Sequence, residues 1–140
     1  PLYSSAASDV YKRQDEDADD FDLEEIAFDR WGASKIQTDL LNRGHTIVQF
    51  GQGYASMNPA MKEFEKLILS EMLDHGGNPV LTWMADNLVV RTDPAGNIKP
   101  DKEKSREKID GMVALAMAVD RAMRKMNRDS VYKDQGLKSI

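Results

Sequence analysis

The stretch "IAFDRWGASKIQTDLLNRGHTIVQF", residues 26–50, decides the fold. Its opening continues from "LEEIAF" (23–28), a short apolar run that fits a strand entering a core. In "RWGASKIQTDLLNRG", Trp31, Ile36, Leu40 and Leu41 approximate an apolar stripe at helical spacing, and Gly44 is a natural stop. "HTIVQF" (45–50) then reads as a second strand, cut off by the "GQG" breaker at 51–53. A strand, a helix and a strand in this order fit a right-handed crossover between two parallel strands. The chain is therefore read as mixed α/β.

Downstream, "NPAMKEFEKLILSEMLDHGG" (58–77) predicts a helix with Asn58 as its cap and Pro59 at its first position. Met61, Phe64, Leu67, Ile68, Met72 and Leu73 would form the buried face, and His75 with its two glycines would end it. "NPVLTWMADN" (78–87) repeats the Asn-Pro opening and reads as a short helix. "LVVRT" (88–92) and "IKP" (98–100) flank "DPAGN", whose residues favour a tight turn, so a strand and a brief partner are expected. Residues 105–126 read as the last long helix, followed by a loose polar tail over 127–140. Met61, Met72, Met112, Met117 and Met123 fall at helix-core positions, where methionine serves as packing.

At 140 residues the chain holds at most one domain, and its 41% apolar and 31% charged residues are ordinary for a globular protein. The net charge of −5 carries no global signal for nucleic acid, although local patches matter more than the sum. With no cysteine, disulfides and thiolate metal sites are excluded. His45 and His75 are the only histidines, and their spacing makes no zinc motif. No apolar run approaches the roughly 20 residues that span a bilayer. The acidic run "DEDADDFDLEE" (15–25) should be solvated. Before it, "PLYSSAASDVYKRQ" (1–14) resembles a translated sequencing-adapter read; the alternative is a natural polar leader. With Pro1 in place of Met, the expectation is a fragment: a non-native or disordered leader and acidic segment over 1–21, then a partial domain over 22–126.

Two acids stand out. Asp29 lies between strand and helix, where it either caps the helix or joins the ligands that gather at the carboxyl ends of parallel strands. Asp110 heads "KIDGMVALAMA" (108–118), whose residues 111–119 are apolar on every face. Such a helix is expected to be buried, which places the acid at the edge of the core. Burying a carboxylate unpaired is costly. It should therefore meet a metal, hydrogen-bond donors, or a cation such as Lys104, Arg106 or Lys108. Between the turn and this helix, "IKPDKEKSREK" (98–108) is the most basic stretch: either a solvated face or a strip that steadies an anionic substrate.

Five phrases, "IAFDRWGA", "FGQGYASMNPAMKEFEKLI", "HGGNPVLTWMADN", "DPAGNIKPDK" and "KIDGMVALAMA", taken in order over about residues 22–125, resemble the C-terminal nuclease domain of tailed-phage terminase large subunits. The resemblance implies an RNase H-like mixed sheet flanked by helices, N-terminally truncated here, with acids that hold two Mg²⁺ or Mn²⁺ ions. It implies an endonuclease that cuts concatemeric phage DNA during packaging. The expected partners are double-stranded DNA, the terminase small subunit and the portal protein, in the host bacterial cytoplasm. Asp29 in "IAFDRW" and Asp110 in "KIDG" match the family's middle-strand and late helical acids, and would be catalytic metal ligands. The family's first acid and its ATPase motifs match nothing in this chain, so the fragment alone is expected to be inactive. Lys99, Lys102, Lys104 and Lys108 would contact the DNA backbone. The alternatives are a non-catalytic binding or assembly module and another RNase H-fold nuclease of the resolvase or integrase type.

Overall fold

The computed structural model describes residues 12–13, 15–29 and 34–134, with side chains described over 12–13, 15–29 and 37–127. Its contacts divide the chain into two compact units that meet between Phe50 and Gly51.

The first unit holds the expected crossover. Strand β1 (Ile26–Asp29) pairs in parallel with β2 (Ile47–Phe50), in a register that matches Ile26 with Ile47 and Asp29 with Phe50. Between them runs α1 (Ser34–Asn42). Gly44 follows it at φ 89°, a left-handed conformation that glycine adopts without the Cβ clash other residues meet. Leu40 is buried as the stripe requires, whereas Leu41 is 57% exposed. Trp31 and the side chain of Ile36 lie outside the described residues. The acidic run is helical over residues 15–20, and Asp15 accepts a hydrogen bond from Arg43 and lies 3.4 Å from His45 Nε2.

The second unit opens with α2 (Tyr54–Leu69), which starts four residues before the expected cap. Gly53 in extended conformation is the N-cap, and its carbonyl accepts from the Ser56 and Met57 N–H groups. Asn58 and Pro59 are therefore interior, and Asn58 Oδ1 instead accepts the Ile98 N–H at 3.0 Å. Met57, Ala60, Met61 and Phe64 follow the i, i+3, i+4, i+7 spacing of a buried stripe. The helix also ends early. The Met72 N–H reaches the Leu67 carbonyl and the Glu71 N–H reaches that of Ile68, with Glu71 at φ 55°. This is a Schellman closure, made here by a glutamate rather than a glycine. It leaves Ile68 half exposed and Met72 74% exposed, both expected in the core. His75 consequently lies beyond the helix and does not cap it.

Helix α3 (Pro79–Asn87) begins as the Asn-Pro pair predicts, with Asn78 Oδ1 accepting the Val80 and Leu81 N–H groups at 3.0 Å each. Strands β3 (Val90–Thr92) and β4 (Ile98–Pro100) form an antiparallel hairpin. Its turn is organised by Asp93, which accepts from the Ala95 and Asn97 N–H groups and the Asn97 side chain. The final helix, α4 (Asp110–Asp134), starts later than residue 105 and runs past residue 126. Phe64, Met112 and Val119 form a core between α2 and α4, with Leu67, Leu81, Met84 and Leu115 packed against it. Gly111 allows α3 to approach α4 closely: its N–H points at Met84 Sδ 3.3 Å away, and a Cβ there would meet that sulfur at 2.7 Å. Among the described residues the strands make two two-stranded sheets, smaller than the single mixed sheet expected.

Candidate functional site

Asp29 is the last residue of β1, at the carboxyl end of the parallel pair and half buried. That is the edge where α/β sheets present ligand-holding side chains. It belongs to the strand itself, five positions ahead of Ser34 in α1.

Asp110 occupies the first turn of α4, but its side chain is 68% exposed rather than set at the edge of the core. The helix behind it is less buried than its composition implies: Ile109, Met112, Val113, Ala116 and Met117 face inward, while Ala114 and Ala118 face water. Alanine carries too little apolar surface to require burial, so an all-apolar run does not make an all-buried helix. The desolvation cost that made Asp110 conspicuous is therefore absent. Its carboxylate has a cation partner: Lys102 Nζ donates to Oδ1 at 3.2 Å. The sequence offers Lys104, Arg106 and Lys108 nearer by, yet Lys102 makes the bond.

The reason lies in an acid that sequence reasoning passed over. Asp101 is 3% exposed, and around it residues 101–105 fold into a turn. Its Oδ1 accepts the Glu103 and Lys104 N–H groups, its Oδ2 accepts Arg91 Nε at 3.0 Å, and its carbonyl accepts the Ser105 hydroxyl at 2.7 Å. Ser105 in turn accepts the Val89 N–H through its Oγ, and the Asp101 N–H reaches the Val89 carbonyl. Burial pushes the Asp101 carboxyl up, but the Lys104 N–H, the Arg91 charge, the Glu103 N–H and the Arg91 hydrogen bond outweigh it and hold it below the ordinary range. The Arg91 guanidinium is correspondingly raised by the Asp101 charge. The signal was present in the sequence as Asp101 four residues before Ser105, a spacing at which side chains cap a turn.

The basic stretch is thus a folded loop rather than the start of a helix. Lys99 lies on β4 with its ammonium 5.0 Å from the centre of the Tyr54 ring, a cation–π distance. Lys102, Lys104 and Lys108 are exposed, and of these Lys102 bonds Asp110. Asp120, an acid near an apolar face, is buried and pairs with Arg124 Nε at 2.5 Å one turn on. His75 lines an apolar cleft of about 400 Å³ with Phe64, Ile68, Leu81 and Leu115. Among the described residues no three His, Asp or Glu side chains gather closely enough to hold a metal ion, and no helix is long and apolar enough to cross a membrane.

A parallel strand pair ending in an acid, followed by a helical unit with a second acid at the head of its last helix, defines a mixed α/β protein. Comparison with known proteins sharpens this. The family described as "Terminase large subunit, endonuclease domain" matches residues 4–126, and the chain belongs to that family. The match begins inside the 1–14 segment and includes both acids. The large terminase subunit of Enterobacteria phage HK97 is 46% identical over 105 residues, which cover 74% of this chain and 21% of that protein. Protein YmfN of Escherichia coli K12 is 37% identical over 123 residues, 84% of this chain and 27% of that one. The crystal structure of the HK97 bacteriophage large terminase superposes with a TM-score of 0.71 and 44% identity, over 84% of this chain and 24% of that chain. The chain thus spans about a quarter of the length of the relatives it matches.

Proposed function

We propose that this domain is the metal-dependent endonuclease of a terminase large subunit, with an RNase H-like fold in the complete domain, and that it cuts concatemeric phage DNA during genome packaging. The observation that carries the reading is the family match over residues 4–126, within which Asp29 and Asp110 both fall. The same match favours a terminase over a resolvase or integrase.

Asp29 and Asp110 are the residues that would hold Mg²⁺ or Mn²⁺. Their donor type fits, since hard carboxylate oxygens suit both ions, and Mg²⁺ keeps several waters and takes only one or two carboxylates from a protein. When bound, such a pair of ions supplies an activated water and neutralises the leaving oxygen of an in-line displacement at a phosphodiester. The chain's own residues do the rest. Asp110, exposed at the head of a helix whose inner face is buried, presents its oxygens from a fixed mount. Lys99 on β4, and Lys102, Lys104 and Lys108 on the loop anchored by Asp101, would steady the DNA backbone by charge. The small subunit and the portal are the packaging partners, and the host bacterial cytoplasm the place of action.

The test is cleavage of plasmid DNA by this domain within a full-length terminase. Asp110→Ala is expected to abolish cutting while ATP hydrolysis stays near wild type; retained cutting defeats the assignment. A second reading, a non-catalytic binding or assembly module, draws on the Lys102–Asp110 ion pair, which gives the acid a structural partner.

A further inference from the structure

We propose that Lys102 is an exchangeable counter-ion of Asp110: in the metal-free protein its ammonium holds the carboxylate oxygen that a divalent cation would take, and it withdraws when that cation binds. The inference rests on the reading of Asp110 as a metal ligand.

The geometry has three parts. Lys102 Nζ lies 3.2 Å from Asp110 Oδ1, so a cation coordinated by that oxygen and the ammonium compete for one site. Both side chains are open to water, at 58% and 68% exposure, and an ion pair in that setting is weak and readily exchanged. Both backbones, in contrast, are fixed. Lys102 directly follows the buried Asp101, and Asp110 follows Ile109, which is 2% exposed and whose carbonyl accepts the Met112 and Val113 N–H groups. A fixed root with a free tip lets the ammonium leave without any change of fold. The choice of partner also argues for construction: the pair spans eight residues through the Asp101 turn, passing over three basic residues closer in sequence. A lysine released from Asp110 remains beside it, where an approaching phosphate would meet it.

The experiment is a Mn²⁺ titration of a full-length terminase that contains this domain, into the millimolar range, reading free Mn²⁺ by electron paramagnetic resonance, for wild type, Lys102→Met, Arg106→Met and Asp110→Asn. Lys102→Met is expected to bind Mn²⁺ roughly two- to five-fold more tightly than wild type, the competition lost with an exposed pair. Arg106→Met, which removes the same charge without touching the pair, is expected to stay close to wild type, and Asp110→Asn to lose the site. Equal effects from Lys102→Met and Arg106→Met would reduce Lys102 to a general positive charge, and weaker binding by Lys102→Met would make it a supporting residue; either overturns the proposal while leaving Asp110 a ligand. If Asp110→Asn binds as wild type does, or no variant binds, the metal-ligand reading itself fails and takes this one with it. Thermal unfolding without metal verifies that each variant is folded.

Discussion

A glutamate at φ 55° sits where a Cβ crowds the following carbonyl, and Glu71 holds that conformation because two backbone hydrogen bonds close α2 around it. Glycine meets no such clash. Glu71→Gly is expected to stabilise the second unit by about 1 kcal/mol, read as a raised unfolding midpoint in urea; an unchanged or lower midpoint would mean the side chain contributes more than its strain removes. Asp101 makes a different prediction. Its carboxyl is held below the ordinary value of 3.8, as is that of Asp93, where the Asn97 side chain and N–H dominate. Such groups contribute stability that is complete above their unfolded value and lost as pH falls through the lower folded value. The stability gap between wild type and Asp101→Asn should therefore be widest near neutrality and narrow below about pH 4. A gap independent of pH in urea titrations would remove the charge from the explanation. The Asp101–Ser105 spacing was there to be read, but the Arg91 partner was not, because it lies ten positions away across a hairpin.

At the scale of elements, two identical dipeptides met opposite fates. Asn78-Pro79 caps α3 because the chain before it is irregular, leaving the Val80 and Leu81 N–H groups open to the side chain. Asn58-Pro59 reads the same way in sequence, but Tyr54 to Met57 are already helical, and Ile98 supplies the donor that Asn58 takes. Capping is thus legible only when the residues upstream are not themselves drawn into the helix, a matter of tertiary packing. Asn78→Ala is expected to cost about 1 kcal/mol in thermal or urea unfolding, since it removes the acceptor of the Val80 and Leu81 N–H groups. A loss much smaller than this would show that the Pro79 ring alone fixes the helix start. The β1–α1–β2 crossover and the Asp93 hairpin were legible throughout, since apolar runs and turn residues determine them locally.

For the whole molecule, the family was legible from phrases in order, and so were the positions of Asp29 at the end of a strand and Asp110 at the head of a helix. Asp29 lies in the first compact unit and Asp110 in the second. If Asp110 holds a divalent ion, Mn²⁺ should raise the melting temperature of wild type through binding linkage and leave Asp110→Ala unmoved. Equal shifts in both, or none in either, would favour the assembly module. What the sequence hid was the exposure of Asp110, because a run of small apolar residues looks buried on a wheel whether or not neighbours cover it.

Gly111 has a consequence for how this domain can change over generations. A Cβ at position 111 would meet the Met84 sulfur at 2.7 Å, so a substitution there requires the flexible end of Met84 to shift. A lineage that first shortens residue 84 opens the space and can then diversify residue 111, gaining helix propensity as it does. A lineage that begins at 111 must displace the methionine from its seat against Gly111. Variation along the α3–α4 seam therefore couples these two positions, and one sulfur atom carries the coupling.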